Sequence, residues 1–224
     1  VQDITGLPAY FFTPDKLELN KDADLLKGGI VYADAVTTVS ETYAEEIKTP
    51  FFGEDLDGLL RARERDLRGI VNGIDRESFN PATDPCLEFH YDAISFRKEK
   101  IKNKIALQKQ LGLNADPKCF TIGMVSRLTD QKGFDLVSCV MDELCQDAVQ
   151  IVVLGTGEEQ YENMFRHFAW KYGGRVSANI YYSEELSHRV YAASDAFLMP
   201  SLFEPCGLSQ LIALSYGTIP IVRQ

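Results

Sequence analysis

Residues 119–126 read CFTIGMVS and residues 149–157 read VQIVVLGTG, two short apolar runs that are typical of buried strands. Between them, apolar side chains recur at the spacing of one helix face: Val137, Val140, Met141 and Leu144. A strand, an amphipathic helix and a second strand in this order build a parallel sheet with helices on its faces. This stretch therefore predicts a doubly wound α/β domain.

The same alternation continues to the end of the chain. Three further apolar runs predict strands, at residues 176–181, 196–199 and 218–222. The helix after residue 157 has one apolar stripe: Tyr161, Met164, Phe165 and Phe168. At its start, Thr156 and Glu159 have the spacing of a capping box. Further helices are expected around Leu186 and over residues 207–216, which completes the pattern of the domain.

The first half of the chain is less regular. Apolar runs at residues 35–39 and 69–71 predict short strands, and Ser40 is a plausible N-cap with Glu41 in the first helical turn. A polar stretch from residue 72 to about 117 has linker composition, and its basic run at residues 97–102 predicts a solvated helix. We therefore predict three parts: residues 1–75, a linker with a connecting helix at 76–117, and the α/β domain at 118–224.

Composition excludes several classes of protein. The 224 residues are 45% hydrophobic and 25% charged, as in ordinary globular proteins of one to two domains. The sequence has neither an apolar run of membrane-spanning length nor a signal-peptide pattern at its start, which predicts a cytoplasmic location. A net charge of -10 argues against nucleic acid and membrane surfaces as partners. The oligomeric state is left open.

The cysteines and histidines give no metal or triad signal. The five cysteines form no C-x-x-C pair, so we expect all of them to be reduced, with no zinc site. His90, His167 and His188 show no metal-ligand spacing and no arrangement with a neighbouring Ser, Cys or acid that suggests a triad, and we interpret them as structural. No metal and no cofactor are therefore predicted.

The loop after the first strand carries two cations. In an open parallel sheet the ligand lies beyond the carboxyl ends of the strands. There the sequence places Arg127 and Lys132, in a short loop that leads into a helix N-terminus. Two cations beside free backbone N–H groups suit a diphosphate. The alternative for this pair is two solvated loop charges.

The loops after the second and third strands offer weaker candidates. Gly155, Thr156 and Gly157 would let a ligand approach the backbone closely, but an ordinary strand-to-helix turn explains them as well. Tyr181 and Tyr182 present aromatic faces on which a nucleobase can stack, although an aromatic pair is also common in a core.

The fourth strand is followed by a carboxylate. Glu204 stands between Phe203 and Pro205 before a helix, where it can bind sugar hydroxyls or counter a developing positive charge. Its alternative role is an acid at a helix start. Asn72, in the run NGID after a strand-like segment, fits a tight turn first and a ligand contact second.

Several longer runs together resemble the bacterial glycogen synthase and plant starch synthase family. They are KGGIVYAD at residues 27–34, VTTVS at 36–40, GLL at 58–60, VNGID at 71–75, NPATD at 80–84, SRLTDQKG at 126–133 and FEPCGL at 203–208. The resemblance covers nearly the whole chain. It implies two Rossmann-like domains facing each other across a cleft, the GT-B arrangement, with residues 1–75 in the acceptor-side domain and 118–224 binding the nucleotide sugar.

The resemblance also implies roles for particular residues. Arg127 and Lys132 match residues that hold the diphosphate, and Glu204 matches one that contacts the donor sugar. Tyr182 matches an aromatic beside the adenine, and Cys206, Gly207 and Leu208 match backbone donors to the sugar nucleotide. Glucose would pass from ADP-glucose to the non-reducing end of an α-1,4-glucan with retention and without a metal, the cations stabilising the departing diphosphate.

Departures from the family pattern leave alternatives open. The chain lacks Met at its start and stops after an apolar run, and it lacks the K-x-G-G-L motif, an acceptor-domain histidine and the T-G-G loop of the family. Tyr181 stands where the family often has Gly. We therefore expect a fragment of a larger protein that is catalytically weak or inactive alone. Two alternative functions are a non-catalytic nucleotide- or glucan-binding remnant and a GT-B transferase that uses another sugar nucleotide. The acceptor could also be starch rather than glycogen, which would place the protein in a plastid.

Overall fold

The protein was analysed as a computed structural model that describes residues 5–223. The chain divides into two compact units, Val1–Asn72 and Gly73–Gln224. The predicted three-part division differs from this one by assigning residues 76–117 to a linker, and its domain roles stay a prediction. Within residues 5–223, no helix has the length and apolar character needed to cross a membrane.

The described residues of the first unit include two small sheets, three α-helices and a short 3-10 helix, Ala9–Phe11. Strands β1 and β2 form an antiparallel pair, and β3 and β4 form a parallel pair. In chain order the elements are β1 (Glu18–Leu19), β2 (Asp22–Ala23), α1 (Leu25–Tyr32), β3 (Val36–Thr38), α2 (Glu41–Glu46), α3 (Asp57–Ala62) and β4 (Leu67–Gly69). The predicted cap of α2 is confirmed, because the Ser40 hydroxyl accepts from the Tyr43 N–H at 3.1 Å.

Strand β4 begins two residues earlier than predicted. Its buried residue is Leu67, whereas Ile70 and Val71, on which the prediction relied, are exposed. The backbone still pairs beyond the strand, since Ile70 N–H donates to the Thr38 carbonyl at 2.8 Å. Burial of one side chain, rather than the apolar run itself, sets the register.

The second unit is a parallel sheet with helices on both faces, as predicted. Its five strands lie in the order β7-β6-β5-β8-β9, all parallel. The elements are α4 (Phe96–Gln110), β5 (Phe120–Val125), α5 (Phe134–Leu144), β6 (Val149–Leu154), α6 (Glu159–Lys171), β7 (Val176–Asn179), α7 (Glu184–Ala193), β8 (Ala196–Met199), α8 (Leu208–Ser215) and β9 (Ile219–Val222). The chain runs outward from β5 in both directions.

Alternate residues of the central strands enter two cores. On one face, Ile151 and Val153 of β6 pack with Phe165 of α6 and with α5. On the other face, Val152 and Leu154 pack with α4 and α7. Each fully buried Phe or Val contributes about 1.5–3 kcal/mol relative to an exposed one. The continuous apolar run of β6 is therefore explained by burial on both faces.

Helix α4 is not the solvated helix that its basic run predicts. One of its faces is buried and mostly polar, with Lys100, Asn103, Lys104 and Gln108. These side chains have partners inside the unit: the Lys104 ammonium pairs with Asp195, and the Gln108 amide donates to Gln150 at 2.7 Å. The prediction failed because Gln150 and Asp195 lie 42 and 91 residues away from their partners along the chain.

The predicted capping box at Thr156 and Glu159 does not form. Helix α6 begins at Glu159, and its N-cap residue Glu158 makes no side-chain capping bond. The Thr156 carbonyl instead accepts from the Leu128 N–H at 2.9 Å, and the Gly157 N–H donates to the Glu162 carboxylate at 3.0 Å. Thr156 is therefore held by the loop after β5 and does not cap helix α6.

Candidate functional site

The carboxyl ends of the parallel strands bring four loops to one edge of the sheet. These loops follow β5, β6, β7 and β8, and they contain every candidate site residue except Asn72. Asn72 is exposed at the end of the first unit. In sheets of this kind, ligands bind at this edge. The sequence prediction of where the candidates lie is therefore consistent with the sheet topology.

Leu128 anchors the loop after β5. Its side chain is fully buried, and its backbone bridges in parallel to Gly157. The Leu128 N–H donates to the Thr156 carbonyl, and its carbonyl accepts from the Glu158 N–H at 2.8 Å. These bonds fix the Arg127 backbone although the side chain itself is exposed.

Glycines at this edge are required by close contacts within the chain. A Cβ on Gly155 would lie 1.8 Å from the Ser126 carbonyl oxygen, and one on Gly157 would lie 2.2 Å from that of Leu128. Packing of the two loops thus accounts for both glycines, as the turn interpretation expects. Their contact with a donor stays a prediction.

Gly133 combines a left-handed backbone with a close contact to another loop. Its φ is +70°, and a Cβ would meet the Pro200 carbonyl oxygen at 2.1 Å. We expect Gly133→Ala to lower the free energy of unfolding by about 2 kcal/mol or more, because the loops must separate in addition to the left-handed strain. Urea denaturation measures this change in the free energy of unfolding. Gly173→Ala is the control, since no atom lies within 4 Å of a Cβ there; equal effects of the two would contradict the expectation.

One cavity brings four of the candidate residues together. It has a volume of about 230 Å³ and is lined by Val125, Ser126, Arg127, Leu154, Gly155, Thr156, Tyr181, Tyr182, Ser183 and Ser187. The Arg127 guanidinium has no hydrogen-bond or ion-pair partner within residues 5–223, and Tyr182 is 85% exposed. An unpaired cation and two aromatic rings around an open cavity suit a ligand with both an anionic and a planar part.

A second cluster joins Lys132 to Glu204. The Lys132 ammonium forms an ion pair with the Glu204 carboxylate, and the two side chains are only 15% and 18% exposed. The Ser201 hydroxyl donates to the same carboxylate oxygen at 2.7 Å. The alternative role of Glu204 as a helix-start acid does not hold, because α8 begins four residues later at Leu208 and the carboxylate binds Lys132 and Ser201 instead.

Backbone bonds tie the loop after β5 to the loop after β8. The Leu202 N–H donates to the Gln131 carbonyl at 2.8 Å, and the Gln131 amide donates to the Phe203 carbonyl at 3.2 Å. Gly207, with a φ of +68°, is the N-cap of α8. Cys206, Gly207 and Leu208 thus lie at the N-terminus of that helix, where backbone N–H groups are available for an anion or a hydroxyl.

Sequence reasoning missed the residues that support these candidates. Ser201 and Gln131 hold Glu204 and its loop, and Ser183 and Ser187 line the cavity beside Arg127. The only signal was their position next to a strand end or a helix start. Ser183 is also the N-cap of α7, accepting from the Leu186 N–H at 3.1 Å.

His188 does have an acidic neighbour, contrary to the prediction. Its Nδ1 lies 2.8 Å from the Asp84 carboxylate, which also accepts from the Tyr216 hydroxyl. Burial opposes ionisation of Asp84, but the bonds from Tyr216, the Cys86 N–H and His188 outweigh it and hold the pKa of Asp84 below its usual range. Burial and Asp84 raise the pKa of Tyr216. Asp84 and His188 are 104 residues apart in the chain, so no local pattern could reveal the pair.

Family models match most of the chain. Residues 1–62 match the starch synthase catalytic domain, and residues 104–224, which carry the cavity and the Lys132–Glu204 pair, match glycosyl transferases group 1. The chain belongs to the group 1 glycosyltransferases. The loops at the sheet edge therefore lie in the part of the chain that matches a family of sugar-transferring enzymes.

Individual relatives of this glycosyltransferase chain are glycogen and starch synthases. It is 70% identical over its full length to a glycogen synthase of Lachnospira eligens and 63% identical to one of Lachnoclostridium phytofermentans, and it spans 47% of each. It is also similar to the catalytic domain of starch synthase IV from Arabidopsis thaliana bound to ADP and acarbose, with a TM-score of 0.89 and 39% identity over 97% of this chain and 46% of that one. The resemblance and the GT-B fold class are confirmed.

Proposed function

We propose that the protein to which this glycosyltransferase chain belongs transfers glucose from ADP-glucose to the non-reducing end of an α-1,4-glucan, with retention at C1. The observation that carries the proposal is the Lys132–Glu204 pair at the same edge of the sheet as the Arg127-lined cavity in a group 1 glycosyltransferase. The ADP bound to the starch synthase relative supports an ADP-sugar donor. The chain spans about half the length of its curated relatives, so the activity is proposed for the whole protein.

The cavity residues would bind the donor. Tyr182 would stack on the adenine, and Gly155 and Thr156 would border the nucleotide. The guanidinium of Arg127 and the ammonium of Lys132 would contact the diphosphate. Cys206, Gly207 and Leu208 would direct backbone N–H groups to the donor, and Asn72 would also contact the ligand.

The two cations would do most of the chemical work. As the bond from C1 to the diphosphate oxygen breaks, negative charge develops on the leaving group, and fixed positive charge is most effective where charge develops. Glu204, held by Lys132 and Ser201, would counter the positive charge on the sugar and bind its hydroxyls. The acceptor hydroxyl then attacks C1 from the face that the diphosphate leaves and gives its proton to the departing diphosphate oxygen, and no residue described here has to bind a metal for this step.

Calorimetric titration of the whole protein with ADP-glucose, compared with UDP-glucose, tests the donor site. We expect Arg127→Ala to weaken ADP-glucose binding by about 10- to 100-fold, the loss of one charge-assisted hydrogen bond. Arg166→Ala is the matched control, because Arg166 is an exposed arginine on α6 that pairs with Glu162. Arg127→Ala binding as tightly as wild type, or glucose transfer from UDP-glucose alone, would rule out the assignment.

An assay of glucose transfer to a glucan primer, run beside the titration, separates the remaining candidates. A whole protein that binds ADP-glucose but transfers no glucose to a glucan primer would be the non-catalytic binding protein. Because the chain is 63–70% identical to bacterial glycogen synthases, we favour glycogen over starch as the acceptor and the bacterial cytoplasm as the location.

A further inference from the structure

Four side chains that can bind a metal ion converge beneath α7, outside the Arg127 cavity. Asp84, Cys86 and His188 each offer one ligand atom, and these atoms lie within 4.8 Å of one another. The Tyr216 hydroxyl donates to Asp84 and lies 3.1 Å from His188 Nδ1. Asp84 is fully buried and His188 nearly so. None of the four lines the proposed donor site.

The Asp84 carboxylate has no strong positive partner. Within residues 5–223 it pairs with no lysine or arginine, and it is held by the Tyr216 hydroxyl, His188 Nδ1 and the Cys86 N–H at 2.8 Å. A fully buried carboxylate is costly unless it is paired or binds a metal. A cation at this point would supply the missing charge.

We propose that Asp84, Cys86 and His188 form a binding site for a thiophilic divalent cation such as Zn²⁺, with the Tyr216 hydroxyl or a water as fourth ligand. A thiolate, an imidazole and a carboxylate are a ligand set that zinc accepts. The thiolate and the carboxylate together neutralise its two charges. On binding, the Cys86 thiol proton passes to solvent, and the proton of His188 resides on Nε2 so that Nδ1 can coordinate.

The ligands need only small movements to reach tetrahedral geometry. Zinc bonds of the usual lengths hold tetrahedral ligand atoms about 3.3–3.6 Å apart. His188 Nδ1 and the Asp84 oxygen are now 2.8 Å apart and must separate slightly. The Cys86 sulfur lies within 4.8 Å of the other two ligand atoms and must move toward them by at most about 1.2 Å. It lies in a loop before α4 and is only partly buried, so the loop can make this adjustment.

The surroundings provide an entry path and hold the ligands. Cys86 lines a cavity of about 590 Å³ together with Asn103, Gln110 and Arg189, through which an ion can reach the thiol. The Phe79 ring stacks on His188 with centroids 4.8 Å apart, and a ring nitrogen of His90 lies 2.8 Å from the Asp84 carbonyl oxygen. Such outer contacts fix the orientation of metal ligands.

Titration of the metal-free whole protein with Co²⁺, followed by Zn²⁺ competition, tests the site. We expect one equivalent of Co²⁺ to give a thiolate-to-cobalt absorption band that Zn²⁺ abolishes and Mg²⁺ does not. Cys86→Ser should remove the band and weaken Zn²⁺ binding by at least about 100-fold, beyond the usual effect of an outer-shell change. Cys139→Ser, at an exposed cysteine on α5, should leave both unchanged.

Thermal unfolding separates loss of the site from loss of the fold. Metal-free Cys86→Ser should melt at the temperature of the metal-free wild type, because serine keeps the size of a partly exposed side chain. Zn²⁺ should then raise the melting temperature of wild type and not of Cys86→Ser. Absence of the cobalt band in wild type, or its persistence in Cys86→Ser, would overturn the proposal. Neither result depends on glucose transfer, so the donor assignment stands or falls separately.

Discussion

Lys132→Met in the whole protein is expected to lower the kcat of glucose transfer by about 100- to 1,000-fold, the usual cost of removing one group that stabilises transition-state charge. Methionine keeps most of the apolar stem and removes only the ammonium. KM should change less than kcat, because charge on the diphosphate grows as the bond to C1 breaks. Initial rates of glucose transfer at saturating ADP-glucose measure the effect.

Loss of the ion pair is a second consequence that must be separated from loss of catalysis. Lys132→Met leaves the mostly buried Glu204 carboxylate with the Ser201 hydroxyl as its remaining bond. Adding Glu204→Gln to Lys132→Met removes the unpaired charge and should restore stability but not rate. A double variant with wild-type kcat would show that the pair is structural only.

A surface lysine provides the control for the charge change. Lys171 is the last residue of α6, and its exposed ammonium pairs with Asp142 of α5. Lys171→Met removes this ammonium. Exposed ion pairs contribute about 0–1 kcal/mol to stability, and this one lies outside the sheet-edge loops. We expect kcat within about twofold of wild type. If Lys171→Met lowered kcat as much as Lys132→Met does, the net charge of the protein, rather than the position of the lysine, would determine kcat.

Lys100→Met is expected to cause the largest loss of stability, about 2–4 kcal/mol, from the cost of buried acceptors that lose a charged donor. The buried Lys100 ammonium donates to the carbonyls of Tyr191, Ala192 and Tyr216 and to the Thr218 hydroxyl, at 2.7–3.3 Å. These carbonyls lie at the C-terminal ends of α7 and α8, where a cation also favours the helix dipoles. One side chain therefore joins α4 to both helices and to β9.

Urea denaturation of Lys100→Met and Lys98→Ala measures this contribution. Lys98 is exposed on the same helix, and its replacement should change the free energy of unfolding by less than about 0.5 kcal/mol. The Tyr91 hydroxyl also donates to the Tyr216 carbonyl, at 2.8 Å, which limits the loss in Lys100→Met. If the two variants were equally stable, Lys100 would not be the link between these elements.

Secondary structure of the second unit was readable from the sequence because burial there is periodic. Residues 151–154 are apolar without a break since β6 is covered on both faces, and the α6 stripe is apolar at helical spacing. Boundaries agreed to within a residue or two for most strands. The start of α6 differed because a loop pairing replaced the predicted cap. In the first unit, β4 began two residues early because Leu67, and not Ile70 or Val71, is buried.

The location of the candidate site was also readable, but its contacts were not. Strand ends in a parallel sheet meet at one edge, so residues after each apolar run could be assigned to that edge without coordinates. The ion pair of Lys132 with Glu204 spans 72 residues. Nothing in either loop indicates which carboxylate meets which cation, since that depends on how β5 and β8 are paired.

The sequence by itself determined the fold class, the family resemblance and the edge of the sheet where a ligand would bind, because hydrophobic periodicity and motif runs are local properties. Tertiary structure alone decided that the basic face of α4 is buried, that Glu204 binds Lys132 and Ser201, and that Asp84, Cys86 and His188 meet. The physical reason is that hydrogen bonds and ion pairs are short-ranged and directional, so they form between whichever groups the packed elements bring within about 3 Å.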